Sequence, residues 1–269
     1  MSINETNAGL LASLRLDTQL AGQTAIVTGS SSGIGEAIAH VLAASGAEVV
    51  VSGRDAARLQ QVVESIRAAG GRARPVPADL AGSYADLRTF AREAAAALGG
   101  RVDLLVNNAG VYPVMSTEAM SDHDLDAILN VNIRAPHVLV AALAPGMAER
   151  GTGNIINIGS WMARVGTASG AMYTASKAAL EQMTRNWSAE YGPRGVRVNT
   201  VAPGATSTPG NAAFSAAVEA MTSSTVAGRP VRPIDVAYAV KFLASDQATF
   251  IHGSLLDVDG GMVGTRLRF

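Results

Sequence analysis

From Thr24 onward, short β-branched apolar runs alternate with longer segments rich in alanine and leucine, the pattern of strands that are each followed by a crossover helix. The runs predict strands at Thr24–Thr28, Glu48–Ser52, Ala73–Pro77, Leu104–Asn107, Gly153–Ile158, Arg197–Ala202 and Leu255–Val258. Two of them, Glu48-Val-Val-Val-Ser52 and Asn154-Ile-Ile-Asn-Ile158, are apolar along nearly their whole length, as strands covered on both faces must be. The intervening segments predict helices at Gly35–Ser45, Ala56–Ala69, Tyr84–Leu98, Asp124–Arg150, Ala171–Tyr191 and Ile234–Ala244. The fold class this implies is α/β: one doubly wound, Rossmann-type domain with a seven-stranded parallel sheet and helices on both faces.

No repeat or composition break divides the chain, so residues 20–269 read as a single domain. Residues 205–229 are rich in Ser, Thr, Ala and Gly and separate a strand from the next helix. Connections that long in compact domains are usually lids or disordered segments, and the place after a strand's carboxyl end favours a substrate lid. Residues 1–19 form a polar extension that either packs on a neighbouring surface or stays mobile.

Composition narrows the function. At 269 residues a chain buries roughly three quarters of its unfolded surface and needs no staple. With no cysteine, thiol nucleophiles, iron–sulfur clusters and disulfide scaffolds are excluded, and a cytoplasmic location is expected. A net charge of −1 gives no footprint for nucleic acid. The start lacks a signal peptide, and no run reaches the roughly 18 uninterrupted apolar residues of a membrane span. A charged fraction of 16% beside 48% apolar residues suits a homo-oligomer with extra surface to hide. His40, His123, His137 and His252 lack metal-site spacing, so no metal is expected.

Thr28-Gly-Ser-Ser-Ser-Gly-Ile-Gly35 follows the first strand and opens the first helix. Glycines there permit a sharp turn and close approach of backbone amides to a pyrophosphate at the helix's positive end. Gly29-Ser-Ser-Ser-Gly33 also satisfies the nucleophile elbow of serine hydrolases with Ser31 as nucleophile. That reading is disfavoured, because the motif follows the first strand and the only late acid and histidine close together, Asp246 and His252, share one connection. At the end of the second strand stands Gly53-Arg54 with no terminal acid. An arginine there pairs with the 2'-phosphate of NADP, whereas NAD calls for a carboxylate. NADP is therefore preferred, with NAD possible.

Tyr173 and Lys177 are four residues apart on a predicted helix, hence on one face. A neighbouring ammonium draws a phenol's pKa down from about 10 toward a usable acid and base. Ser160 ends the fifth strand, and Asn132 lies on the preceding long helix. In this order and spacing the chain resembles the short-chain dehydrogenase/reductase family over roughly residues 20–262, in particular its 3-oxoacyl-acyl-carrier-protein-reductase-like branch. That resemblance implies a catalytic tetrad of Asn132, Ser160, Tyr173 and Lys177. Tyr173 would protonate the carbonyl oxygen, Ser160 hold that oxygen, Lys177 contact the nicotinamide ribose, and Asn132 anchor a water leading to solvent. It also assigns Gly29, Ser31, Ser32, Gly33, Ile34 and Gly35 to the cofactor turn, with Asp79 and Leu80 at the adenine. Asn108, Ala109 and Gly110 follow within Asn107-Asn-Ala-Gly110, and Pro203, Gly204, Thr206 and Thr208 meet the carboxamide. A tetramer is the family's common assembly.

The implied activity is hydride transfer between NADP and a small-molecule carbonyl or alcohol. A nucleotide-binding regulatory protein on the same fold is the alternative, disfavoured because it has no need of the tetrad. Trp161-Met-Ala-Arg-Val165 departs from the smaller residues common after the serine. Trp161 and Met162, with Val111, Tyr112, Met115 and Met172, either line an apolar substrate pocket or belong to the core. Arg164 either meets an acidic substrate group or is a surface charge.

Overall fold

A computed structural model describes residues 9–265. Its strands are β1 (Thr24–Val27), β2 (Glu48–Gly53), β3 (Arg72–Pro77), β4 (Leu104–Asn107), β5 (Gly153–Ile158), β6 (Val196–Pro203) and β7 (Leu255–Val258). They form one seven-stranded sheet in the order β3-β2-β1-β4-β5-β6-β7, every pair parallel. The protein is a single α/β domain of Rossmann type. Val27 sits opposite Val51 on one side and Val106 on the other, so β1 lies where the winding reverses. The carboxyl ends diverge there and leave a crevice for a ligand.

The principal helices are α1 (Gly33–Ala44), α2 (Ala56–Ala68), α3 (Tyr84–Ala97), α4 (Asp122–Ile128), α5 (Ala135–Glu149), α6 (Ala171–Tyr191), α7 (Ser215–Ser223) and α8 (Pro233–Ala244). Strand side chains alternate between two cores. Val27, Val49, Val51, Leu104 and Val106 pack with Leu42 of α1, Leu59 of α2 and Val240 of α8. Ile26, Val50, Leu105 and Ile155 pack with Phe90 of α3, Leu139 of α5 and Leu180 of α6. Both faces of the central strands are thus covered, while the edge strand β3 exposes Arg72 and Arg74.

Two regions depart from the pattern-based expectation, and the described part of the amino-terminal extension takes the packed course of the two open to it. The single helix expected over Asp124–Arg150 starts at Asp122 and is interrupted by a π-helical segment, Leu129–Arg134, that separates α4 from α5. Pro136 lacks the amide that would close the α-helical bond to Asn132, and the Ala135 amide bonds instead to the Asn130 carbonyl. The segment 205–229 holds a 3-10 turn at Pro209–Phe214 and the helix α7. Its two ends are tied together, since Ser207 donates to the Val231 carbonyl at 3.0 Å and Val231 to that of Ala205 at 3.0 Å. In the amino-terminal extension, Leu10, Leu11 and Leu14 pack against the α1–α8 core, and the Asp17 carboxylate accepts a bond from Lys241 of α8 at 2.5 Å. The beginning of that extension and the end of the carboxyl-terminal tail lie outside the described residues.

Residues Asp122–Glu149 form one helix long and apolar enough, by length and composition, to cross a membrane. Its buried side chains Val131, Val138, Leu139 and Met147 belong to the core beneath the sheet.

Candidate active site

The crevice above the carboxyl ends of the strands is a cavity of about 690 Å³. Its floor begins at the glycine turn. Gly29 and Gly33 have φ of +63° and +62°, the left-handed region that costs glycine nothing. A Cβ on Gly35 would stand 2.3 Å from the Gly29 carbonyl oxygen and 2.4 Å from Asn108 Nδ2, so no other residue fits there. The turn is held to β4 as well. Thr28 Oγ1 accepts the amides of Asn108 at 3.0 Å and Ala109 at 3.1 Å, and Asn108 Nδ2 donates to the carbonyls of Thr28 and Gly29.

Ser32 caps α1 without a side-chain bond to the helix. The Glu36 carboxylate takes the Gly33 amide. Ile34 and Gly35 line the cavity at the first turn, whose amides have no partner within a helix and carry the positive end of its dipole. This is a cradle for an anionic phosphate. At the end of β2, Arg54 lines the same cavity, and no hydrogen bond or ion pair to its guanidinium is found among the described residues. Asp79 and Leu80 follow β3, and Ala109 and Gly110 follow β4. Across the cavity are Pro203, Gly204, Thr206 and Thr208. Thr206 Oγ1 donates to the Gly204 carbonyl at 2.9 Å, and Thr208 bonds Asn211. These residues suit a dinucleotide: an amide cradle for its pyrophosphate and a free cation where a ribose phosphate would lie.

At the β5 end the walls become chemical. Ser160 is buried, and its Oγ accepts the Met162 amide at 3.2 Å, which leaves the hydroxyl hydrogen to donate. Tyr173 and Lys177 stand one turn apart on α6 and both line the cavity. Burial raises the Tyr173 pKa, a hydrogen bond with Ser160 opposes the rise, and the nearby Tyr112 adds to it. The expected lowering by Lys177 is not what the geometry produces. The ammonium bonds the Ile158 carbonyl at 2.8 Å, and its own pKa is lowered to about 8 by burial. The phenol is therefore held as the neutral acid.

Asn132 does not reach the cavity wall. It is buried in the π-helical segment, with Oδ1 accepting the Val111 amide at 2.9 Å and Nδ2 donating to the Val111 carbonyl at 2.9 Å and to Ser176 Oγ at 3.0 Å. Ser176 in turn donates to the Tyr173 carbonyl. Asn132 thus ties the β4 loop to the catalytic helix. A Cβ on Gly110 would lie 3.4 Å from both Asn132 Oδ1 and Lys177 Nζ, so the two side chains approach each other over this glycine.

Val111, Tyr112, Trp161 and Met162 line the substrate end, while Met115 and Met172 do not. Tyr112 stands edge-on to Tyr173 with ring centroids 6.4 Å apart. Arg164 faces away from the cavity and is paired with Asp257 of β7. Val114, His123, Ala127, Gly210 and Asn211 also line the wall; sequence reasoning passed over them because they belong to no motif, His123 and Ala127 lying on the short helix α4 and the others on connections. Ser31 meets Gly53 and has no histidine beside it, since His252 precedes β7 at the opposite end of the parallel sheet. No cluster of three metal-ligating residues occurs among the described residues.

Comparison with known proteins agrees with this arrangement. The family model for short chain dehydrogenases matches residues 23–219. The chain is 32% identical over 246 residues to the 3-oxoacyl-[acyl-carrier-protein] reductase of Thermotoga maritima, covering 91% of this chain and 99% of that one. Among solved structures, a short chain dehydrogenase from Burkholderia cenocepacia in complex with NADP superposes with a TM-score of 0.83 at 41% identity, covering 91% of this chain and 99% of that one. A blue fluorescent protein from a metagenomic library, in complex with NADPH, gives 0.85 at 37% identity, covering 91% and 100%. With a matching family model over most of its length and relatives aligned almost end to end, this chain belongs to the short-chain dehydrogenase family of oxidoreductases.

Proposed function

We propose that the protein is an NADP-dependent oxidoreductase that interconverts a carbonyl and a secondary alcohol, with Tyr173 as general acid and base. The observation that carries this reading is the convergence of Ser160, Tyr173 and Lys177 at one end of a cavity whose other end holds the glycine turn and the unpaired Arg54. NADP is favoured over NAD because Arg54 offers a guanidinium and no carboxylate ends β2.

The glycine turn and the first turn of α1 would hold the pyrophosphate, Arg54 the ribose phosphate, and Asp79 and Leu80 the adenine side. Thr206 and Thr208 lie toward the nicotinamide. When bound, the cofactor supplies or accepts hydride at its nicotinamide ring. Ser160 Oγ, whose hydrogen faces Tyr173, would turn it to the substrate oxygen and orient the carbonyl. Tyr173 Oη gives its proton to that same oxygen during reduction and recovers it in the reverse direction. The neutral phenol enforced by burial is the form reduction needs. Lys177, held by the Ile158 carbonyl at the cavity wall, would contact the nicotinamide ribose and so seat the ring beside Ser160 and Tyr173. Asn132 keeps the β4 loop and α6 in register for this transfer.

The protein acts on a small molecule, in the cytoplasm, as a homotetramer without nucleic-acid or membrane partners. The deciding experiment is Tyr173→Phe. NADPH should still bind, and turnover of a good ketone substrate should fall by about 10² to 10⁴-fold, the usual contribution of a placed acid. Near-normal turnover would remove Tyr173 from the mechanism.

A further inference from the structure

The half of the cavity around Ser160 and Tyr173 is assembled from four stretches of chain: residues 107–117, 158–163, 165–176 and 202–218. None of the four contains Asp, Glu, Lys or Arg. The nearest carboxylates, Glu181 behind Gly159 and Asp259 behind Gly204, are buried and carry the wrong sign for an anion, and the nearest basic groups are engaged. Lys177 is buried and bound to the Ile158 carbonyl. Arg164, which interrupts the second and third stretches, is held by Asp257. The lid brings no cation, since its first basic residue is Arg229, which pairs with Asp235 at 3.5 Å. Arg54 ends β2, three strands from β5 in the sheet, roughly 14 Å away at ordinary strand spacing. One further basic neighbour, His123, is exposed at the mouth beside Asp124. Around it the rim is acidic, with Glu118, Asp122 and Asp126 all exposed.

What replaces charge is flat apolar surface. Tyr112, Trp161 and Met162 wall the space beside Tyr173, and Val114 and Met162 flank Gly170 just before α6. A Cβ on Gly210 would come within 2.9 Å of the Tyr112 hydroxyl, so the lid carries glycine where this ring reaches it. Tyr112 therefore spans from the catalytic tyrosine to the lid. A carboxylate or phosphate brought into this space would lose water and meet no cation, a large penalty for an unpaired ion. An acidic carrier protein would also meet a rim of its own sign.

Resting on the hydride-transfer reading, we infer that the substrate is an uncharged, ring-bearing ketone or secondary alcohol, free in solution and not tethered to an acidic carrier, with Tyr112 and Trp161 as the residues that select it. Aromatic walls favour the flat face of a ring over a flexible chain, which loses more conformational freedom on binding.

Three probes test this: a cyclohexanone bearing a methyl ester, the same ketone as its free carboxylate, and the acetoacetyl thioester of N-acetylcysteamine. Calorimetry on protein saturated with oxidised cofactor reads binding, and NADPH consumption reads turnover. The ester should bind at least about tenfold more tightly than the carboxylate, the penalty of leaving one charge poorly paired, and should exceed the thioester in kcat/KM. Tyr112→Ala should raise KM for the ring ester by about tenfold while changing that for the thioester little. Val114→Arg, at a half-exposed position on the wall, should improve binding of the carboxylate. Equal or tighter binding of the carboxylate by the unaltered protein, preference for the thioester, or no binding of any probe overturns the inference. If the ester binds with the expected preference but no probe is turned over, it is the hydride-transfer reading that fails, while the selectivity stands.

Discussion

Arg54 and His40 show how differently single residues relate to function and stability. Arg54 is exposed, unpaired among the described residues and on the cavity wall. A charge-assisted bond to the 2'-phosphate is worth about 1.5 to 3 kcal/mol. Arg54→Ala should therefore weaken NADPH by about 10 to 150-fold and leave NADH nearly unchanged, as measured by cofactor titration. An unaltered NADPH to NADH ratio would show that the guanidinium does not read the phosphate. His40 is 5% exposed on α1, with no hydrogen-bond partner for Nε2, and burial lowers its pKa from 6.5 to about 4. The unfolded chain binds this proton more readily than the folded one. Stability is accordingly complete above pH 6.5 and declines as pH falls toward 4, by up to about 3 kcal/mol. In His40→Leu, urea titrations should show a shallower loss of stability across that interval; an unchanged slope would mean other groups govern acid unfolding.

At the scale of elements, legibility followed the source of each element's stability. Strands β2, β4 and β5 lie within a residue of the positions that apolar runs predict, because burial on both faces imposes that pattern on the sequence; β7 and helix α6 also fall where expected. The π-helical segment was not legible. Residues Leu129–Arg134 have ordinary helical composition, and only Pro136 hints that the ladder changes register. The change turns the Asn132 side chain inward to Val111 and Ser176, which ties the β4 loop to α6. Helix α7 was missed for a different reason: Ser, Thr and Ala around it give no amphipathic stripe, and only Val218 and Thr222 are buried. The close packing of Leu10, Leu11 and Leu14 was likewise hidden, because three leucines in a polar stretch acquire meaning only when the α1–α8 surface is in place.

The whole molecule leaves large apolar side chains uncovered. Tyr238 and Phe242 on α8 are exposed, and Phe250, in the turn before the edge strand β7, is fully so. Exposed aromatics of this kind mark contact surfaces, and β7 ends the sheet with an unpaired edge. Light scattering should give a tetramer, and Tyr238→Asp with Phe250→Asp should reduce its mass; a monomer for the unaltered protein would leave these side chains without that explanation. The sequence by itself determined the layering, the position of the glycine turn, and the presence of Ser160, Tyr173 and Lys177 at spacings that one helix and one strand end can hold. Those features are local, set by periodicity and by neighbours along the chain. Only the tertiary structure decided the ionisation and surroundings of that set. Which group the Lys177 ammonium bonds, which backbone the Asn132 side chain ties, and whether Trp161 is core or wall depend on atoms from strands far apart in sequence. Burial and the direction of hydrogen bonds are properties of that three-dimensional neighbourhood, and periodicity along the chain carries no record of them.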